Sequence, residues 1–157
     1  MPKKSAGLLL YRNSHAGLEV LLAHPGGPYW RKKDEGAWTI PKGEFEDEKA
    51  LAAAQREFNE ELGSPPPDGN YLELKPIKQK NAKTVYAWAV EGDFDSNNLK
   101  SNTFVCEWPP KSHGMEEFPE VDRAEWFPVE IAKKKILPAQ TALIDQLVEL
   151  LARNGDA

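Results

Sequence analysis

Apolar residues alternate with polar ones over several short stretches of the chain, which is the pattern of β-strands. The first two apolar runs, residues 6–11 and 18–23, flank the polar stretch 13–17 and predict a β-hairpin. Further strands are predicted at residues 38–40, 71–79, 83–91, 104–108 and 124–127. The polar residues 109–119, between the last two strands, predict a loop.

Two segments have helical periodicity instead. Residues 48–62 predict a helix, because Asp47 is a good N-cap residue and Gly63 provides the left-handed residue that ends many helices. The core face of this helix is predicted to consist of Leu51, Ala54, Phe58 and Leu62. A final amphipathic helix is predicted to begin at Pro138. Because strands dominate, with one helix in the middle and one at the end, the predicted fold class is α+β.

The composition is that of a globular protein. The chain has 157 residues, so we expect a single domain over residues 1–157. The single cysteine, Cys106, excludes an internal disulfide and favours a reducing compartment, so we expect a cytoplasmic protein. The first apolar run is too short for a signal peptide and no run is long enough to span a membrane, so no membrane partner is expected.

The net charge of −5 is concentrated in one segment. Residues 43–63 contain seven acidic and two basic residues, so this segment carries the whole imbalance. An acidic chain with only a short basic run at residues 133–135 gives no reason to expect binding to duplex nucleic acid.

Three of these acids form a face of the predicted helix. At about 100° per residue, Glu57, Glu60 and Glu61 share one side, which is separate from the predicted core face. They repel one another and lie near the negative end of the helix dipole, so the arrangement is unfavourable by itself. A hard divalent cation, Mg²⁺ or Mn²⁺, would offset the repulsion. A solvated acidic surface is the alternative, and the glycine-bearing loop before the helix favours the cation.

The segment from Gly43 to Gly63 resembles the Nudix box, G-x5-E-x7-R-E-U-x-E-E-x-G-U, in which U is a bulky aliphatic residue. The matching residues after the first glycine are Glu48, Arg56, Glu57, Glu60, Glu61 and Gly63. The segment departs from the pattern at three points. Four residues instead of five separate Gly43 from Glu48, and Phe58 and Ser64 replace aliphatic residues.

The resemblance implies a fold, a cofactor and a set of roles. The fold is an α/β/α sandwich with a mixed central sheet, one catalytic helix and a C-terminal helix. The cofactor is Mg²⁺ or Mn²⁺, and the implied ligands are the Gly43 backbone carbonyl, Glu57, Glu60 and Glu61. Arg56 orients these carboxylates, and Glu48 braces the loop against the helix. The implied reaction is attack of water on a diphosphate linkage of a small-molecule nucleotide, of the nucleoside or dinucleoside polyphosphate type.

The general base is left open between two positions. Glu57 is one candidate, and the other is an acid of the late loop, where Glu116, Glu117, Glu120 and Asp122 cluster. Family members often place an extra metal-binding or base glutamate just before the strand equivalent to residues 124–127. Glu120 fits that place best, and a solvated acidic loop is the alternative.

The residues before the box resemble a second family pattern. Residues 38–43 match the W-x-x-P-K-G lead-in of Nudix enzymes that cleave dinucleoside polyphosphates and inositol diphosphates. Lys42 and Trp38 are therefore candidate substrate-binding residues. Further basic residues could contact phosphates or serve solubility alone: Arg31, Lys32, Lys33, Lys78, Lys80 and Lys83. Among the tryptophans near loops, which are Trp30, Trp38 and Trp108, one could stack on a base.

Three alternatives remain at this point. The chain could be a catalytically silent Nudix-fold module that binds or senses a nucleotide, which the short box loop would favour. It could be an RNA 5′-end pyrophosphohydrolase, which would need a basic channel beside the site. An isopentenyl-diphosphate isomerase would need a catalytic cysteine in a deep pocket, and Cys106 has no such setting in the sequence.

Overall fold

Strands make up most of the regular structure, which is described by a computed structural model over residues 3–15, 17–80 and 83–153. Its strands are β1 (Lys4–Ser14), β2 (Gly17–Pro25), β3 (Lys42–Phe45), β4 (Leu72–Glu73), β5 (Ile77–Gln79), β6 (Lys83–Glu91), β7 (Thr103–Glu107), β8 (Met115–Pro119) and β9 (Val121–Pro128). Its helices are α1 (Ala50–Leu62), α2 (Val129–Lys135) and α3 (Thr141–Arg153). Two 3₁₀ turns lie at Ser96–Asn98 and Pro138–Gln140.

Seven of the described strands form one mixed sheet, with the main order β4-β6-β1-β2-β9. The central strand β1 is parallel to β6 and antiparallel to β2. β3 pairs with the first residues of β1, and β5 pairs with β6. The β1–β3 register places Gly43 opposite Ala6, so the segment just before α1 is anchored to the middle of the sheet.

The sheet buries apolar side chains on both faces, because successive residues of a strand point to opposite sides. In β1, Leu8 and Leu10 belong to a core cluster with Phe58 of α1. Leu9 belongs to the cluster on the other face, with Leu147 of α3 and Ala132 of α2. Helices therefore cover both faces of a mixed sheet, and the predicted α+β sandwich is confirmed. None of the helices described is both long enough and apolar enough to cross a membrane.

The predicted loop at residues 109–119 is wrong in its second half. β8 pairs with β7 in a separate two-stranded sheet, which we call the β7–β8 hairpin. Phe104 and Phe118 lie opposite each other there, with ring centroids 6.1 Å apart. The strand was missed because β8 carries two adjacent glutamates and its residues are largely exposed, so apolar alternation is almost absent.

Helix α1 begins later than predicted. It starts at Ala50, with Lys49 at the N-cap position, so the prediction of Asp47 as the N-cap is wrong. The core face is also rotated, since Leu51 is only partly buried whereas Ala53 is fully buried. The helix ends at Gly63 as predicted, with a φ of 76° and its N–H donating to the Asn59 carbonyl.

Several other predicted boundaries need correction. Residues 71–79 form two short strands instead of one, because Pro76 between them has no N–H to donate. Residues 38–40 form only isolated bridges, in which Thr39 pairs with Ala23 and Trp38 pairs with Ile136. Pro138 opens a 3₁₀ turn, and the final helix begins at Thr141. The sequence analysis did not predict β3 or α2.

Candidate active site

The site begins where β3 passes under α1. Gly43 faces the helix so closely that a Cβ atom built on it would lie 2.0 Å from Oε1 of Glu57. The backbone of Gly43 pairs with Ala6 of the central strand, so it cannot easily move away. The absence of a side chain at residue 43 therefore gives the Glu57 carboxylate its place against the strand.

Arg56 gathers the acidic groups around it. Its Nε and Nη2 atoms donate to the carboxylate of Glu48, at 2.9 Å from Nε to Oε2. Its Nη1 atom donates to Oε2 of Glu57 at 2.7 Å and to Oε2 of Glu60 at 3.1 Å. These are the contacts required of a residue that orients carboxylates and ties the loop to the helix.

Glu61 lies against β3, where it is largely buried. Its Oε1 atom accepts from the backbone N–H of Lys42 at 3.2 Å. Burial raises the pKa of Glu61 to about 8, and the charges of Glu57 and Glu120 contribute. The expectation that the carboxylate face is separate from the core is therefore wrong, because the sheet covers the side of α1 that carries Glu61.

Glu120, which is far from α1 in the sequence, lies near the carboxylates of α1 in the fold. Its backbone N–H donates to the Asn102 carbonyl at 2.8 Å, and the N–H of Asn102 donates to the Glu60 carbonyl at 2.9 Å. Burial raises the pKa of Glu120, and the negative charge of Glu60 adds to the effect. Burial likewise raises the pKa of Glu57, which also feels the charges of Glu60 and Glu120. The structure thus brings Glu120 to the carboxylates of α1.

The other acids of the late loop point elsewhere. Glu116 and Glu117 lie on β8, and Glu117 accepts a hydrogen bond from the Thr103 hydroxyl at 2.6 Å. Oδ1 of Asp122 lies at hydrogen-bond distance, 2.7 Å, from Nδ1 of His24. His24 is fully buried, and its Nε2 contacts the Lys33 carbonyl at 2.6 Å. The sequence analysis gave His24 no role, because a histidine inside an apolar strand carries no signal of its partners.

A divalent cation at this site would need several oxygen donors around one point. Within the described residues, no three acidic, histidine or cysteine side chains already converge around one point. Arg56 explains this, because its guanidinium occupies oxygens of Glu57 and Glu60. The groups nevertheless fit Mg²⁺ or Mn²⁺ chemically: all are hard oxygen donors, and like charges crowd Glu57, Glu61 and Glu120.

The two predicted substrate-binding residues, Lys42 and Trp38, differ in how far they are buried. Lys42 is partly buried on β3, and burial lowers the pKa of its ammonium, with the Lys83 charge adding to the effect. Trp38 is 1% exposed, its ring packs edge-on against Phe127, and its Nε1 donates to Asp34 at 2.9 Å. No face of Trp38 is open to a base, so the structure does not support its substrate-binding role.

A groove of about 880 Å³ opens beside Arg56 and Glu48. Lys3 and Lys4 line one side, and the acidic loop at residues 44–48 lines the other. Its size lies in the range of small-molecule sites, so there is room for a ligand next to the carboxylates.

Glu61→Gln is expected to raise the melting temperature of the metal-free protein by about 3 °C or more at pH 8.5. The folded pKa of Glu61 lies above its ordinary value, so the folded state holds a proton that the unfolded state releases. The stability of the original protein therefore falls as pH rises from about 5 to about 8, and glutamine removes this fall. Thermal melts in a chelator at pH 5 and pH 8.5 measure it. Glu116→Gln is the matched control, and an equal gain at both pH values would contradict the assignment.

Comparisons with known proteins agree with this architecture. A family model described as NUDIX domain matches residues 1–147. A search of curated proteins finds no match.

Among solved structures, an Ap4A hydrolase of C. elegans in a binary complex has a TM-score of 0.67 and 23% sequence identity, covering 96% of this chain and 98% of that chain. The NUDIX domain of Shewanella oneidensis NrtR, complexed with ADP ribose, has a TM-score of 0.65 and 17% identity, covering 96% and 89%. The E. coli ORF135 protein has a TM-score of 0.62 and 23% identity, covering 96% and 91%. At these identities the structures establish a shared fold, and the family model extends over most of the chain. The chain therefore belongs to the Nudix hydrolase family.

Proposed function

We propose that this protein is a Mg²⁺- or Mn²⁺-dependent pyrophosphohydrolase that cleaves a diphosphate linkage in a nucleoside diphosphate derivative, of the nucleoside or dinucleoside polyphosphate type. The observation that carries the proposal is that Glu120 lies close to the carboxylates of α1, beside Gly43. Glu120 lies far from α1 in the sequence, and burial, together with the repulsion of neighbouring carboxylates, raises the pKa of Glu57, Glu61 and Glu120. The similar structures of an Ap4A hydrolase and of a NUDIX domain complexed with ADP ribose support a nucleotide as the ligand.

Each residue has a role in this proposal. The Gly43 carbonyl, Glu57, Glu60 and Glu61 would hold the metal ions. When bound, the metal supplies charge neutralisation at the phosphates and a lowered pKa for the attacking water. Arg56 keeps Glu57 and Glu60 in place through its two hydrogen bonds from Nη1. Lys42 would face substrate phosphate as a positive charge.

Hydrolysis also requires a group that takes a proton. The water oxygen forms a bond to phosphorus, the bridging phosphoanhydride P–O bond breaks, and the water proton passes to a carboxylate. Arg56 donates to Glu57, and this hydrogen bond opposes the rise in the pKa of Glu57 that burial causes. Within the described residues, no guanidinium donates a hydrogen bond to Glu120. We therefore assign the role of base to Glu120 and keep Glu57 as a ligand.

A second function has one observation in its favour. Arg56 occupies oxygens of Glu57 and Glu60 that would have to turn to a metal ion for hydrolysis, and a protein that only binds a nucleotide needs no such change. A panel of nucleoside triphosphates, dinucleoside polyphosphates and ADP-ribose, incubated with Mg²⁺ and with chelator, separates the two functions. Two identified products formed only with metal support hydrolysis, and binding of a nucleotide without products supports the silent module. The cytoplasmic location and the single domain over 1–157 stay predictions.

Metal should stabilise the folded protein before any substrate is added. At a Mg²⁺ or Mn²⁺ concentration 100 times the dissociation constant, the gain is about 2.7 kcal/mol, or roughly 5 °C in melting temperature. Thermal melts over a metal titration measure this shift, and Glu116→Gln should retain it. A melting curve that is unchanged at millimolar metal, with and without nucleotide, would remove the metal site.

Gly43→Ala is expected to lower kcat/KM by about 100-fold while the stability changes by no more than about 1 kcal/mol. The added methyl group must push the Glu57 carboxylate away, and the end of that side chain can move at little cost to the fold. Gly114→Ala is the control, because its Cβ would be 3.5 Å from the nearest atom. Kinetics and chemical denaturation of both variants are the measurements. Full activity in Gly43→Ala would mean that the contact between Gly43 and Glu57 has no catalytic importance.

A further inference from the structure

A surface of aromatic and basic side chains lies beside the carboxylates and takes no part in the function proposed above. We call it the aromatic–basic surface; it consists of Tyr29, Trp30, Arg31, Lys32, Lys33 and Trp108. Tyr29 is 58% exposed and Trp30 is 37% exposed, whereas most large apolar side chains of the described chain are buried. Exposed aromatic rings that lie together on a surface are typical of binding sites.

The rings of this surface are held in defined positions. The ring centroids of Tyr29 and Trp108 are 5.5 Å apart and nearly perpendicular, so the loop after β2 packs on the β7–β8 hairpin. Gly27 lies directly over the Phe104 ring, where a Cβ atom would be 2.7 Å away. The buried His24 binds the Lys33 carbonyl and fixes the other end of the loop. The surface is therefore preorganised.

The surface is continuous with the carboxylate site. The N–H of Gly26, at the start of the loop, donates to the Glu120 carbonyl at 2.8 Å. Three residues of extended chain separate Gly26 from Tyr29, which is about 11 Å at most. The Trp108 ring lies 5.5 Å from the Tyr29 ring, so the two rings are at a similar distance from the site. The rings therefore lie within reach of a nucleotide whose diphosphate sits at the carboxylates.

The cations of the surface are available to a ligand. In the part of the chain that the structure describes, no carboxylate forms an ion pair with Arg31, Lys32 or Lys33. The nearest acid in sequence, Asp34, is paired with Lys135 and accepts from Trp38. Arg31 lies over the Trp108 ring, 6.0 Å from its centroid, and Lys33 lies over the Trp30 ring at 4.8 Å, so each indole has a cation on one face. The exposed Tyr29 ring, close to cations that have no carboxylate partner, matches a base that carries phosphates.

We propose that the aromatic–basic surface binds the nucleobase and outer phosphates of the substrate, so that the enzyme selects base-containing diphosphates over inositol or sugar diphosphates. This inference rests on the proposed function. Among the described residues that line the groove beside Arg56, the one aromatic side chain is Phe45, which is 7% exposed and cannot stack on a base. The base is therefore assigned to Tyr29 and Trp108, and the groove is left for the part of the substrate without a base.

The test compares a nucleoside triphosphate with 5-phosphoribosyl 1-diphosphate, which has the sugar and the diphosphate but no base. For Tyr29→Ala and Trp108→Ala, KM for the nucleotide should rise by about 5- to 100-fold with little change in kcat. The same variants should process the base-free compound as the original protein does, and Trp108→Phe should restore most of the loss. Met115→Ala is the control, since Met115 is 64% exposed and pairs with Glu107 at the end of the same hairpin.

A binding measurement keeps this inference separate from the proposed function. Quenching of tryptophan fluorescence by a nucleoside monophosphate, in chelator, reports the base without any turnover. If no diphosphate is hydrolysed but Trp108→Ala weakens this binding by more than fivefold, the proposed activity fails and the base site stands. Equal losses on the nucleotide and the base-free compound, or no loss in either aromatic variant, would overturn the base site. A strong preference for 5′-triphosphorylated RNA over the free nucleotide, abolished in Lys32→Ala but not in Lys78→Ala, would also overturn it.

Discussion

Glu57→Gln is expected to reduce turnover by at least about 10³-fold and to weaken metal binding in the same protein. Among the acids of α1, Glu57 alone has a carboxylate that occupies the space left by a glycine, which is Gly43. Glutamine keeps the size of the side chain but removes its charge, so the hydrogen bond from Arg56 loses its ionic partner. Steady-state kinetics and a metal titration followed by calorimetry measure the two effects.

The two effects should appear together because one group causes both. Glu116→Gln, on the exposed face of β8, controls for the loss of a carboxylate and should match the original protein in both measurements. A Glu57→Gln protein that binds Mg²⁺ normally but is inactive would show that Glu57 acts on the proton and not as a ligand. Normal turnover would remove Glu57 from the site altogether.

Glu120→Gln is expected to lower the single-turnover rate by about 10²- to 10⁴-fold, the usual contribution of a general base. Metal affinity should change by only a few fold, because three carboxylates of α1 remain. The substitution leaves the backbone N–H and carbonyl of residue 120 bonded to Asn102 and Gly26, so the fold should be unaffected. Single-turnover rates over a range of pH, with metal saturating, measure the effect.

The pH profile distinguishes a base from a ligand. In the original protein the rate should rise with pH until Glu120 has lost its proton, and burial places this step above the ordinary range of a glutamate. In Glu120→Gln this rise should disappear. A large loss of metal affinity with an unchanged pH profile would instead make Glu120 a ligand and return the role of base to Glu57.

The spacing of residues along α1 was sufficient to predict that Glu57, Glu60 and Glu61 share a side. It could not predict the burial of Glu61, which depends on β3 lying across the helix. β3 has four residues, including a glycine and a lysine, and pairs with β1 across a long stretch of sequence, so neither alternation nor propensity revealed it.

Long-range contacts also explain the other differences. Glu120 was suggested only by the family resemblance, since its position depends on a backbone bond to Asn102 at the base of a hairpin that the sequence did not reveal. Trp38 looked accessible because it follows a polar loop. Its burial depends on Phe127 from the far edge of the sheet, and on Asp34, which accepts from the indole N–H.

The separation of the β7–β8 hairpin from the main sheet has a consequence for how such a protein can change. Neither core cluster of the described residues includes any residue from 103–119, although Trp108 at the end of β7 carries part of the proposed base site. New side chains, or a longer tip, could therefore be introduced there with little effect on the folding of the rest. Substitutions at the tip of the hairpin, whether natural or engineered, could therefore change which ligand is preferred while the carboxylates of α1 stay the same.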